Sequence, residues 1–260
     1  MSPSLFRAGQ VVFAFCLLLL AAPSRAQESG SGRMSVPFGV GERLEYEVRF
    51  GKLKVGSSSM EVADVQDVRG SETWHTIFEV RGGTFFYRVN DTYESWFDTR
   101  TGNSLRFRKD QNEGNREVEQ IFNMFPDDGT FREDGDTAMV SVKNPLDDGS
   151  FLYFIRTIPL VVGQSYSFER YFKPDRNPVT IKVLRKERIS VPAGDFDAIV
   201  VQPVIKAKGI FSENGHAEVW LSDDANRIML QMKSGLSFGS INLYLKSYRP
   251  ARAGATTRAP

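Results

Sequence analysis

Alternation of apolar and polar residues with a period of two runs through most of this chain. In residues 44–50 the apolar side chains Leu44, Tyr46 and Val48 alternate with charged ones. The same pattern recurs in residues 179–183, 199–205, 217–221, 228–232 and 241–245. Successive side chains of a β-strand point to opposite faces, so each segment has one apolar and one polar face. This pattern is typical of antiparallel sheets.

Turn-forming residues separate the alternating segments, and they set the fold class. Examples are Gly51-Lys52, Arg69-Gly70, Ala193-Gly194 and Asn214-Gly215. Counting the segments between such turns gives about a dozen strands. The sequence therefore predicts an all-β fold: a curved antiparallel sheet, or an open or closed β-barrel, which limits the number of exposed edges.

One short helix is predicted to pack on this sheet. Residues 150–157 form about two turns, Asp147-Asp148 precede them as caps, and Pro159 prevents further extension. Phe151, Phe154, Ile155 and Ile158 recur at the spacing i, i+3, i+4, i+7 and would form one apolar stripe.

The N-terminus has the three parts of a secretory signal. The apolar run Val11 to Ala22 follows Arg7, and Ser24-Arg25-Ala26 places small residues at the cleavage site. The run is shorter than the roughly 20 residues of a membrane-spanning helix, so cleavage after Ala26 is favoured over an uncleaved anchor. We therefore expect residues 1–26 to be a signal peptide and the protein to be periplasmic or secreted.

The remaining chain divides by composition. Residues 27–37 are rich in Ser and Gly and are predicted to form a flexible leader, and residues 251–260 a disordered tail. Residues 38–250 form the predicted all-β domain. The single cysteine, Cys16, lies inside the signal segment, so disulfides, thiol chemistry and thiolate metal sites are excluded from the mature protein.

Charge excludes one class of partner. The 33 basic and 32 acidic residues nearly cancel, and no basic stripe stands out. A nucleic-acid-binding surface needs such a stripe, so no nucleic-acid partner is predicted. No segment after the signal is long and apolar enough to span a membrane as a helix.

Four segments resemble an uncharacterised bacterial family of exported proteins, known only as a domain of unknown function. They are Gly41 to Val48 with Val55-Gly56, Leu152 to Arg156, Val191 to Ala198, and Glu218 to Asp224. The resemblance covers nearly all of residues 38–249 and implies an exported all-β domain without a known activity. The sequence is also similar, in fold only, to periplasmic lipoprotein carriers, which form a half-open barrel around a helix.

No catalytic or metal-binding constellation is recognisable. Gly235 to Gly239 matches G-x-S-x-G around Ser237, but that elbow needs a following helix and a later histidine. The two histidines, His75 and His216, both precede Ser237 and lack the spacing of a zinc site. Acidic clusters at turns fit turn formation, with calcium binding at Asp127 to Asp136 as an alternative. No cofactor and no metal site is predicted.

Aromatic residues give the main functional indication. Phe85-Phe86-Tyr87 and the segment Tyr93 to Phe97 place large rings on both faces of neighbouring strands. The second face could be covered by the helix, a partner or an apolar ligand, or be ordinary core. The predicted ligand-lining residues of the concave face are Phe85, Tyr87, Tyr93, Trp96, Phe151 and Phe154. Four arginines, at positions 88, 106, 108 and 116, could surround an opening or belong to the polar face.

These observations favour a non-enzymatic envelope protein that binds an apolar or amphipathic, lipid-like small molecule. Two alternatives stay open. One is a structural or interaction module of an envelope assembly, which would use an exposed sheet edge. The other is a hydrolase acting on envelope polymers, which would need carboxylates brought together in a cleft.

Overall fold

The computed structural model describes residues 32–83, 87–206, 217–236 and 239–252, and the fold begins at Arg33. Several predicted features lie outside the described residues. They are the signal segment with its cleavage site after Ala26, Phe85, His216, Ser237 and most of the C-terminal tail.

Within these described residues, fourteen antiparallel strands form one curved sheet, which confirms the predicted fold class. The strands are β1 (Arg43–Phe50), β2 (Leu53–Val68), β3 (Ser71–Gly83), β4 (Arg88–Asp98), β5 (Ser104–Glu113), β6 (Arg116–Phe125), β7 (Thr130–Glu133), β8 (Met139–Val140), β9 (Ser165–Phe168), β10 (Val179–Val191), β11 (Gly194–Val204), β12 (Glu218–Ser222), β13 (Met229–Leu236) and β14 (Gly239–Arg249). The helix α1 (Asp148–Phe154) lies between β8 and β9.

The sheet consists of two meanders that meet at the first and last strands. Strands β1 to β8 pair in sequence order, strands β9 to β14 do the same, and β1 pairs with β14. Strands β8 and β9 are therefore the two edges. The chain between them carries α1, and Ser141 and Leu146 before the helix bond to Phe172 and Arg170 after it.

Tight turns connect the strands where the sequence predicts them. Between β2 and β3 only Arg69 and Gly70 intervene, with φ of 56° and 81°. Two successive positive φ values define the hairpin turn whose twist matches that of the flanking strands. Glycine at the second position meets this requirement without steric cost.

The hydrophobic core lies on one face of the sheet, here called the inner face. Leu44, Tyr46 and Val48 of β1 are buried on this face, and Glu45 and Glu47 point to the opposite, outer face. Helix α1 packs on the inner face against β3 and β4. A second, smaller cluster on the outer face contains Val68, Trp96 and Leu105.

Helix α1 agrees with the predicted helix in position and capping. The backbone N–H groups of Gly149 and Ser150 donate to the side chain of Asp147. The backbone N–H of Asp147 in turn donates to the Ser150 hydroxyl, which completes a capping box. The α-helix ends at Phe154, and residues Ile155–Thr157 continue as a single 3₁₀ turn.

Short segments at both ends of the predicted domain lie against the sheet. The backbone N–H of Met34, in the predicted leader, donates to the carbonyl of Thr99, and Val36 packs against the core. At the other end, Arg252 donates to the carbonyl of Val40. Backbone bonds and apolar contacts hold these short segments against the sheet, which composition alone does not reveal.

Candidate functional site

The start of α1 is fixed to the sheet by a buried carboxylate. One oxygen of Asp147 accepts from the backbone of Gly149 and Ser150 at 2.8 and 2.9 Å. The other accepts from the Ser95 hydroxyl of β4 at 2.7 Å. Burial raises the pKa of Asp147 to about 6, although these hydrogen bonds favour the ionised form. The helix is thereby held in one position over β4.

The 3₁₀ turn after α1 is fixed by a buried ion pair. Arg156 donates to both carboxylate oxygens of Glu42, at 2.6 and 3.0 Å, and both side chains are almost fully buried. The same guanidinium donates to the carbonyls of Pro37 and Asn226. Burial lowers the pKa of Arg156, but the bonds to Glu42 outweigh this effect and the net shift is upward.

Sequence reasoning did not pair these two residues. Glu42 and Arg156 both belong to the segments that carry the family resemblance, yet they are 114 positions apart. Their presence in two of those segments was the available signal, but a contact across such a distance in the chain cannot be read from periodicity.

A cleft of about 570 Å³ lies beside this ion pair. Its walls are residues 35–37, 156–159, 224, 225 and 227. All three donor nitrogens of Arg156 already bond to protein acceptors, and Arg227 donates to the carbonyl of Ile158. The guanidinium groups of Arg156 and Arg227 bind other segments of the chain, so we assign no ligand to this cleft.

The other end of the sheet, here called the distal end, carries the turns after β1, β3 and β5. Three large apolar side chains form the last row of the inner face there. Phe50 of β1 is directly opposite Leu53 of β2 and Ile241 of β14. All three are exposed, and Leu53 is exposed to 70%.

Below this row, the inner face lacks side chains at two neighbouring positions. Gly56 of β2 is directly opposite Gly82 of β3. A Cβ atom on Gly56 would lie 2.3 Å from the carbonyl oxygen of Arg81, so the close approach of the two backbones requires glycine.

The next row carries an unsatisfied buried hydroxyl. Ser58 is opposite Tyr46 on one side and Val80 on the other, which places it on the inner face. Its Oγ is buried and has no hydrogen-bond partner among the residues described. A buried polar group without a partner costs free energy and needs an explanation.

Three of the predicted lining residues lie on the core side of the sheet, Tyr93 on β4 and Phe151 and Phe154 on α1. The Tyr93 ring packs against Phe78 and Phe107, with centroids 6.0 and 6.5 Å away, and burial raises its pKa. Its hydroxyl donates to Asp91 and accepts from Gln111. Phe151 is buried in the core, and Phe154 packs edge to face on Phe168 at 5.0 Å.

The structure does not bring the other three together with them. Phe85 lies outside the described residues, and Tyr87 is exposed at the distal end, where its hydroxyl contacts Glu113. Trp96 lies on the outer face, not the concave one, because its neighbour Phe97 occupies the inner face. When both of two consecutive residues are large and apolar, alternation cannot say which faces inward.

The outer face has a polar cluster around Trp96. The His75 ring stacks on Trp96 at 4.5 Å, and its two nitrogens contact Asp64 at 3.1 Å and Glu94 at 2.9 Å. Arg108 pairs with Glu94, Asp110 and Glu119. Arg106 lies over the Trp96 ring. Arg106 and Arg108 thus belong to the polar outer face.

Residues 32–252, apart from the three undescribed gaps, contain neither a metal-ligand cluster nor a helix that could cross a membrane. No group of three or more potential ligands from His, Cys, Asp or Glu is arranged to hold a metal ion. None of the described helices is long and apolar enough to cross a membrane.

One solved structure with a similar fold supports the architecture. A β-barrel-like protein of the domain of unknown function DUF1849, from Brucella abortus, matches with a TM-score of 0.54 and 11% identity. The match covers 84% of this chain and 100% of that one. At this identity the likeness shows the fold alone.

A candidate lipoprotein from Parabacteroides distasonis matches with a TM-score of 0.38 and 15% identity, over 83% of this chain and 99% of that one. No curated protein matches the chain. A family model described as "Protein of unknown function (DUF3108)" matches residues 45–246, which is most of the sheet. The chain therefore belongs to the DUF3108 family of proteins of unknown function.

Proposed function

We propose that this protein is an exported, non-enzymatic envelope protein that binds an apolar or amphipathic, lipid-like molecule on the inner face near the distal end. The observation that carries the proposal is the buried Ser58 hydroxyl without a hydrogen-bond partner among the described residues. A ligand with a polar group would satisfy this hydroxyl and remove the cost of burying it.

The surroundings of Ser58 suit an amphipathic ligand. Phe78 and Tyr93 provide an aromatic surface nearby. Ligand sites of this kind are mostly apolar, with few polar groups that fix orientation. Of the predicted lining residues, we assign Tyr93 as a direct ligand contact. Phe151 and Phe154 belong to α1 and form the helix side of the proposed site.

Two measurements test the ligand proposal. Organic extraction of the purified protein, followed by mass spectrometry, is expected to recover a co-purifying lipid. Titration with a fluorescent fatty acid is expected to saturate, with affinity about tenfold lower in Tyr93→Ala, which loses an aromatic contact surface. Ser58→Ala is expected to lower the affinity about fivefold, the value of one hydrogen bond.

Matched variants separate binding from folding. Tyr93→Phe keeps the ring and should bind the fatty acid like the parent. Thr92→Ala lies on the same strand but on the opposite face, and it should also leave the affinity unchanged. If the fatty acid does not bind, or if Thr92→Ala weakens binding as much as Tyr93→Ala, the proposed site is wrong.

Export is the second part of the proposal, and the N-terminal sequence supports it. When the full chain is expressed in a Gram-negative host, we expect the mature protein in the periplasmic fraction, beginning at Gln27. Intact-mass measurement of that fraction reads the cleavage site directly. An uncut chain retained in the cytoplasm would contradict this part without affecting the ligand test.

An interaction module is the second candidate, and one observation favours it. The edge strand β8 has only two residues, Met139 and Val140, and both are exposed. An exposed sheet edge can accept a strand from another protein. Crosslinking in the cell envelope, followed by mass spectrometry, would identify a partner that contacts this edge.

A further inference from the structure

The geometry points to a membrane-docking surface at the distal end of the sheet, with the surface of a phospholipid bilayer that contains anionic lipids as its occupant. We call this surface the docking tip and define it as Phe50, Lys52, Leu53, Lys54 and Ile241. The inference goes beyond ligand binding and does not depend on it.

The exposed apolar side chains of the docking tip lie side by side at the end of the sheet. Phe50, Leu53 and Ile241 belong to three adjacent strands and share one row at the end of the sheet. On the same face, Val48 and Leu243 come next along β1 and β14, and both are buried in the core. The apolar surface therefore reaches the end of the sheet and is presented there in one contiguous row. Exposed apolar patches rimmed by polar residues mark interaction sites.

Positively charged side chains surround this row. Lys52 and Lys54 flank Leu53, and both are exposed. Lys54 pairs with Glu47, but its side chain is 58% exposed against 17% for Glu47. The same holds on the neighbouring hairpin, where Arg81 is 62% exposed and its partner Glu79 only 28%. In these two pairs the acids lie deeper than the bases, so the outermost charge next to the apolar row is positive.

An apolar row surrounded by exposed bases fits the interface of an anionic bilayer. Apolar side chains enter the boundary between head groups and acyl chains, and lysines next to them meet the lipid phosphates. A protein partner with an apolar surface would explain the row, but it would not by itself explain the outward bases. The bilayer explains both.

The test uses vesicles of phosphatidylcholine with or without phosphatidylglycerol, and the complete mature chain. The parent protein is expected to co-sediment with the anionic vesicles, and added salt should weaken the binding because it screens the lysines. Leu53→Glu is expected to lower the partition constant at least about tenfold, because a charge replaces the most exposed apolar contact. Lys52→Glu should lower it about fivefold or more, with a weaker salt dependence.

Val140→Glu is the matched control, because Val140 is a 73% exposed apolar residue on the edge strand β8. This variant should bind vesicles like the parent. The three native tryptophans are buried, so Leu53→Trp adds a solvent-exposed reporter whose emission should shift to the blue on anionic vesicles. The shift shows insertion of the tip itself.

Three results would overturn the docking tip: no binding by the parent chain, full binding by Leu53→Glu, or an equal loss in Val140→Glu. The fluorescent fatty acid separates this inference from the proposed function. If Leu53→Glu still binds the free fatty acid but not vesicles, the docking tip is supported whatever the natural ligand is. If both activities are lost, circular dichroism of the variant decides whether it has folded.

Discussion

At the scale of single residues, the buried ion pair between Arg156 and Glu42 joins distant parts of the chain. It joins the 3₁₀ turn after α1 to the start of β1, and the same guanidinium reaches Pro37 and Asn226. A buried ion pair adds little net stability compared with an apolar pair, but removing one partner leaves an uncompensated buried charge. The residues therefore act as a unit.

We expect Glu42→Gln to destabilise the fold by about 3 to 5 kcal/mol, because Arg156 would stay charged and buried. Arg156→Met should cost a similar amount. The double variant should be less destabilised than the sum of the two single variants, because no isolated charge remains. Urea unfolding of the parent and the three variants measures the coupling, and strictly additive losses would contradict it.

Residue identity alone could predict part of the candidate site. Tyr93 lies on the inner face, as the alternation of its strand requires, but Trp96 does not, because the adjacent Phe97 takes that face. The Ser58 hydroxyl could not be recognised from sequence. Its significance depends on which strands pair on either side of it, and strand pairing is a property of the whole sheet.

At the scale of elements, α1 shows how local and distant contacts combine. Its capping residue and its approximate length follow from the sequence, because Asp147 precedes a run of apolar residues at helical spacing. Its position on the sheet does not, because this depends on the bond between Asp147 and Ser95 of β4. The same carboxylate both starts the helix and fixes it.

The pKa of Asp147 gives the second prediction. Because burial raises it from 3.8 to about 6, the folded protein binds this proton more tightly than the unfolded chain. The contribution of Asp147 to stability therefore falls as pH rises from about 4 to about 6 and is constant above that range, a change of about 3 kcal/mol.

Asp147→Asn isolates this effect, since asparagine caps helices as well as aspartate does. The stability of the parent relative to Asp147→Asn should fall between pH 4 and pH 6, with other carboxylates cancelling in the difference. Urea unfolding of both proteins across this pH range provides the measurement. Parallel pH curves would show that Asp147 is not perturbed in the folded protein.

At the scale of the whole molecule, the alternation of apolar and polar residues was sufficient to predict an all-β protein with about a dozen strands. The sheet has fourteen, and β8, with its two residues, is too short to show a pattern. The order of strands could not be predicted, because pairing of β1 with β14 links the two ends of the sequence.

That pairing leads to the third prediction. Removing residues 239–260 deletes β14 and should abolish cooperative unfolding, because β1 and β13 both lose their neighbour. Removing residues 253–260 only should leave the urea midpoint unchanged, because the composition of this segment predicts a disordered tail. Far-UV circular dichroism during urea titration distinguishes the two truncations, and a shortened chain without β14 that still unfolds cooperatively would contradict this topology.

The partnership of the first strand with the last also governs when the protein can fold. A chain that emerges from a ribosome or a translocation channel exposes β1 early, and the edge of β1 that pairs with β14 stays open until β14 has been released. Throughout that interval the edge is a template for pairing with other chains. The sheet is thus completed only after β14 emerges, and factors that shield nascent chains have the most to protect around β1.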